Sequence, residues 1–200
     1  KPMIISTGMN SLESVKKTIR IVKKNKIPHA ILHCINLYPV DYKYIRLGRL
    51  NKMIKTFKSS IIGYSDHSIG NTIPIAAMAL GAKIIEKHFV IEKNRRGPDI
   101  TCSMDKIELK NLLAASIKIH EAFCSNKEII PEEDKTRKFA FHSVVSKKDI
   151  NKNDVLSWKN LTTKRPGTGD FPSYKIYRLI GKKTKKYIKK NHLIKKEYIK

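Results

Sequence analysis

Ser60-Ile61-Ile62-Gly63-Tyr64, then Ile73-Pro74-Ile75-Ala76-Ala77-Met78-Ala79-Leu80, then Lys83-Ile84-Ile85-Glu86-Lys87-His88, is the stretch that decides the fold. The two outer runs are short and apolar, as strands of a parallel sheet are, and the run between them reads as a helix. The same alternation extends in both directions. Upstream, Met3-Ile4-Ile5-Ser6-Thr7-Gly8 reads as a buried strand closed by glycine. Asn10 is placed to cap the next helix with Glu13 as its capping-box partner, and Leu12, Val15, Ile19 and Val22 recur at helical spacing. Ala30–Ile35 reads as a second strand, and its helix carries Leu47, Leu50, Met53, Ile54 and Phe57. Downstream, a loop with Arg95-Arg96-Gly97-Pro98-Asp99 leads to a last helix that starts near Asp105, boxed by Glu108, and runs to about Phe123.

Residues 1–125 therefore hold four β/α units, which argues for an α/β fold with a parallel sheet. Four units cannot close an eight-stranded barrel. An open doubly wound sheet and half of a (β/α)8 barrel both fit the pattern. Residues 126–138 are polar, mixed in charge and contain Pro131, and read as a linker. Residues 139–200 read as a small, mostly β domain. Phe139–Val145 alternates like a strand, Asp149–Asp154 is turn-rich, and Lys164-Arg165-Pro166-Gly167-Thr168-Gly169 is a stiff loop.

Composition narrows the function classes. The 200 residues carry 42 Lys and Arg against 17 Asp and Glu, a formal charge of +25. Residues 135–200 hold 20 of those cations and only 4 of the anions. Only 8 of the 42 are Arg, the residue that reads phosphate and base edges bidentately. Trp158 has no aromatic stacking platform around it. Nucleic acid is therefore not the expected partner. No run of about 18 apolar residues is present, so no membrane-spanning helix is expected. Cys34, Cys102 and Cys124 form no CxxC pair, which points away from a disulfide scaffold and toward a reducing, cytoplasmic setting. The chain opens on Lys1-Pro2 rather than Met, so an upstream portion is expected.

Polar residues gather where each strand ends: Thr7 and Met9, Asn36 and Tyr38, Ser65, Asp66 and His67, Glu86 and His88. In parallel α/β folds that edge carries the chemistry. Two histidines ending adjacent strands can converge on one ion, although either could equally bond to backbone. Glu86 lies two residues before His88 and so shares its face. It is placed either as a proton-handling group or as a salt-bridge partner of Lys83 or Lys87. Asp99 follows Gly97-Pro98 and could also serve as a helix cap. Lys87 alternates away from Glu86 and His88, which argues against a Schiff-base aldolase.

Gly63-Tyr64-Ser65-Asp66-His67-Ser68, Ile85-Glu86-Lys87-His88-Phe89, Gly97-Pro98-Asp99 and Lys164–Gly169 stand in order and at suitable distances. With Ser6-Thr7-Gly8-Met9 and His33-Cys34-Ile35-Asn36-Leu37-Tyr38-Pro39, they make the chain resemble the sialic acid (N-acetylneuraminate) synthase family. The resemblance runs from Lys1 to about Lys196. It implies the C-terminal half of a (β/α)8 TIM barrel followed by a small antifreeze-like SAF domain of β-clip type, with barrel units one to four preceding residue 1. It implies condensation of phosphoenolpyruvate with an N-acylated aminohexose such as N-acetylmannosamine, giving a nine-carbon α-keto acid and phosphate. A bacterial, legionaminate-type acceptor is one expectation. His67 and His88 would bind Mn²⁺ or Mg²⁺, and imidazole favours Mn²⁺. Glu86 would be catalytic. Asn36 and Ser65 would hold the substrate phosphate, and Tyr38 and Asp99 would lie near the sugar. Arg165 would reach the acyl group in the barrel of the partner chain of a domain-swapped homodimer. A fragment lacking the first half would be inactive alone. A noncatalytic carbohydrate-binding module and a related pyruvyl aldolase or synthase are the competing readings.

Overall fold

The computed structural model describes residues 1–123 and 129–200; Cys124 and the first residues of the expected linker lie outside the described residues. The chain divides into two compact units, residues 1–125 and 126–200.

The first unit alternates β1 (Met3–Ser6), α1 (Leu12–Lys24), β2 (His29–Cys34), α2 (Leu47–Thr56), β3 (Ile61–Asp66), α3 (Thr72–Ala79), β4 (Ile85–Lys87) and α4 (Lys106–Phe123). The four strands form one parallel sheet in the order β1-β2-β3-β4. It is half of a (β/α)8 barrel, with no reversal of strand order to mark a doubly wound sheet.

The periodicities explain the packing. Val15, Ile19 and Val22 of α1 and Leu50 and Met53 of α2 are buried. Most of these side chains pack against Ile31, Ile62 and Tyr64, the alternate residues of β2 and β3 that face the helices. The opposite face carries Cys34, Ser65 and Glu86, which pair in register across β2, β3 and β4. Gly63 lies on this second face, where any Cβ would strike the Leu32 side chain and come within 2.6 Å of the Ile84 carbonyl. Only glycine allows the strands to approach this closely.

Three expectations need correction. The N-cap of α1 is Ser11, whose Oγ accepts from the Ser14 amide at 3.1 Å; Asn10 instead bonds the Gly8 carbonyl and the Ser14 hydroxyl. A Ser at the cap and an amide three residues on satisfy the end without Glu13. β1 is not buried: it is an outer strand, and Met3 and Ile4 are 45% and 62% exposed. Part of the expected linker and the start of the expected strand form α5 (Asp134–Ala140), so Phe139 and Ala140 are helical. At α4 the structure agrees with the sequence: Asp105 accepts from the Ile107 and Glu108 amides while Glu108 accepts from the Asp105 amide.

The second unit has β5 (Ser143–Ser146) antiparallel to β6 (Leu161–Lys164), tied by isolated bridges to residues 172 and 193. Val144, Ile150, Leu156, Leu161, Leu179, Ile188, Ile194 and Ile199 form its core. No described helix is long and apolar enough to cross a membrane.

Candidate active site

The C-terminal edge of the sheet brings most of the candidate residues together. β3 continues through Ser65 and Asp66 and delivers His67 just past its end, and β4 delivers His88 one residue past Lys87. The two imidazole centroids are 5.3 Å apart. The Tyr38 ring lies 3.9 Å from that of His67 and meets His88 edge-on at 5.8 Å.

The two histidines are held differently: the His67 ring bonds the segment after β2, whereas His88 is fixed through its backbone. Nδ1 of His67 lies 2.8 Å from the Ile35 carbonyl, which can only accept, so the proton sits on Nδ1 and the Nε2 lone pair is left for a ligand. The His67 carbonyl accepts from the Val40 amide at 3.0 Å. The His88 carbonyl accepts from the Met104 amide at 2.8 Å. The Asp99 carboxylate lies 4.0 Å from His88 Nδ1 and makes no capping bond, so the alternative role of helix cap is not the one it takes. Asp99 has φ of 60°, a left-handed conformation that Asp tolerates, and its carbonyl accepts from the Ser103 amide and hydroxyl.

Glu86 does not pair with Lys87. Its Oε1 accepts from Ser65 Oγ at 2.6 Å, a short, charge-assisted bond across β3 and β4. The Ser65 hydroxyl is thus committed to the Glu86 carboxylate in this structure. Lys87 points to the helix side, with its ammonium on Asp66; both side chains are almost fully buried. Asn36 lies beside Gly8, where a Cβ would collide with its carboxamide.

Cys34 belongs to this cluster, and the sequence reading gave it no role. Its thiol donates to Asn36 Oδ1 at 3.2 Å and lies 3.9 Å from His67 Nδ1. Burial pushes the thiol up, but contacts with His67, Ser6 and Ser65 prevail and hold it below its ordinary value. Burial likewise pulls His67 down, while Cys34 and the Ile35 carbonyl outweigh it and raise the imidazole. The signal was present in the sequence: Cys34 falls in the same β2 alternation as Leu32, on the face that carries Ser65 and Glu86.

Arg165 lies in the second unit. Its Nε donates to the Ala140 carbonyl at 3.0 Å and its guanidinium stands over the Phe139 ring at 5.6 Å. Of the remaining histidines, His33 and His29 bond to backbone carbonyls, as structural residues do.

Among the described residues no cluster of three or more His, Cys, Asp or Glu is placed to hold a metal ion. The chain offers a pair of imidazoles, one with its tautomer fixed. That pair fits a borderline divalent ion whose other positions are filled by oxygen ligands, as for Mn²⁺.

The NeuB family profile matches residues 1–128 and the SAF domain profile matches residues 141–200. The N,N'-diacetyllegionaminic acid synthase of Campylobacter jejuni is 36% identical over 97% of this chain and 59% of its own length. Human N-acetylneuraminate-9-phosphate synthase is 32% identical over 100% of this chain and 56% of its own. The crystal structure of N-acetylneuraminic acid (sialic acid) synthetase from Leptospira borgpetersenii, in complex with citrate, superposes with a TM-score of 0.61 at 33% identity, covering 66% of this chain and 47% of that one. The chain spans about half the length of the curated relatives it matches.

Proposed function

Because the chain belongs to the NeuB family, we propose that it carries the metal-binding and proton-handling half of a nonulosonic acid synthase active site. The reaction is condensation of phosphoenolpyruvate with the open-chain aldehyde of an N-acylated aminohexose. A C–C bond forms between the enol carbon and the aldehyde carbon, water adds at the phosphate-bearing carbon, and phosphate leaves with the bridging oxygen. The observation that carries this reading is the pairing of His67 with His88 at 5.3 Å beside the Ser65–Glu86 bond.

His67 and His88 would hold Mn²⁺ or Mg²⁺, which supplies Lewis-acid polarisation of the aldehyde oxygen when bound. Glu86, on the same face, takes the proton of the attacking water. Ser65 turns its hydroxyl from Glu86 to the phosphate, and Asn36 adds a carboxamide donor. Tyr38, stacked on His67, and Asp99, beside His88, flank the sugar. Arg165 donates to the acyl carbonyl in a planar geometry that Lys cannot reproduce, and it serves the partner barrel of a homodimer.

Full-length protein tests these assignments with single and mixed variants. His88→Ala and Arg165→Ala chains should each lose most activity alone. Mixing them should restore some, because one composite site of the mixed dimer is then intact. Full activity of His88→Ala in EDTA would refute the metal site. No recovery from a verified mixed dimer would place Arg165 over its own barrel instead.

A further inference from the structure

We infer that the buried Asp66–Lys87 ion pair is a positioning device that sets His67 and His88 relative to one another. The inference rests on the metal reading above.

Asp66 and Lys87 are register partners across β3 and β4, each the residue immediately before an imidazole. Their side chains are 0% and 1% exposed, and the Lys87 ammonium lies 2.5 Å from Asp66 Oδ2. Lys87 also donates to the Ser68 carbonyl. One ammonium attached next to His88 thus grips the residue before His67 and the residue after it. Ser68 closes the arrangement, donating its amide to Asp66 Oδ1 at 3.1 Å and its hydroxyl to Oδ2 at 3.0 Å.

Stability alone does not explain such a pair. Removing two charges from water costs several kcal/mol per ion, and apolar pairs of similar volume are often as stable or more so. A buried ion pair does supply fixed geometry, because its hydrogen bonds tolerate little displacement. This one lies buried on the face of the sheet opposite Ser65 and Glu86. It therefore acts through the backbone of the two histidines. Groups that hydrogen-bond a metal-ligating histidine directly alter metal affinity by about 10- to 100-fold when removed, and a pair acting through the backbone is expected near the lower end.

The test is Mn²⁺ binding to the full-length protein, read from the free-ion electron paramagnetic resonance signal, with a thermal melt of each variant. The double variants Asp66→Leu/Lys87→Met and Asp66→Val/Lys87→Leu should melt close to wild type yet bind Mn²⁺ at least about tenfold more weakly. A double variant that melts like wild type and keeps the wild-type Kd overturns the inference. Should neither fold, Asp66→Asn removes the charge pair at nearly unchanged side-chain volume. Weaker Mn²⁺ binding at an unchanged melting temperature supports the inference, and unchanged binding overturns it. Wild-type protein that binds no Mn²⁺, or whose His88→Ala variant still binds, overturns the metal reading and this inference together.

Discussion

His33 shows how much one buried atom can decide. The side chain is 0% exposed, Nε2 bonds the Ile45 carbonyl at 2.9 Å, and Nδ1 has no partner among the described residues. Protonating Nδ1 would bury an unmatched N–H. Burial accordingly pushes this imidazole below its ordinary value of 6.5; the Arg49 charge also lowers it, against the raising bond to Ile45. The neutral form is thus favoured in the folded state. Stability is complete above about pH 6.5 and falls as pH drops from there toward the lowered folded-state value, by up to about 1.4 kcal/mol per pH unit. His33→Asn should flatten the dependence of melting temperature on pH as the pH falls below about 6.5. An unchanged slope would show that other groups carry it. At this scale much of the candidate site was legible. Ser65 with His67 and Glu86 with His88 are i, i+2 pairs, which a strand sends to one face. The Asp66–Lys87 pair was not legible, because its partners are fixed by cross-strand register, which local sequence does not encode.

Secondary elements were legible wherever periodicity was strong, and they failed at ends and edges. α1 and α2 follow from their apolar spacing, and the Asp105–Glu108 capping box marks the start of α4. The start of α1 did not follow, because Asn10 and Ser11 are both good caps and only geometry chooses between them. Ser11→Ala should therefore cost about 1 kcal/mol in urea denaturation. Asn10→Ala should cost less; if Asn10→Ala proves the more costly, the cap is misassigned. β1 misled for a different reason. Met3-Ile4-Ile5 has the composition of a buried strand, but burial depends on a neighbour, and β1 is the outer strand of this sheet. α5 was hidden by polar, mixed charge, which reads as linker when no apolar stripe marks a helix.

At the scale of the whole molecule, the first unit is a half-barrel whose strand ends gather most of the candidate residues. Met3, Ile4 and Ile61 stay about half exposed on a sheet that in the relatives belongs to a chain about twice as long. The candidate residues are divided between the units: the histidines and Glu86 lie at strand ends of the first, and Arg165 lies in a stiff loop of the second. Lys87 is buried against Asp66 on the helix side, away from the face that carries Ser65 and Glu86. The most direct measurement is therefore made on full-length protein with Mn²⁺ and N-acetylmannosamine, following phosphate and nine-carbon keto acid together. With phosphoenolpyruvate, each keto acid formed should be matched by one phosphate, none should be released without the sugar, and pyruvate should not substitute. Keto acid formed from pyruvate, or phosphate released at the same rate without any sugar, would contradict the synthase reading.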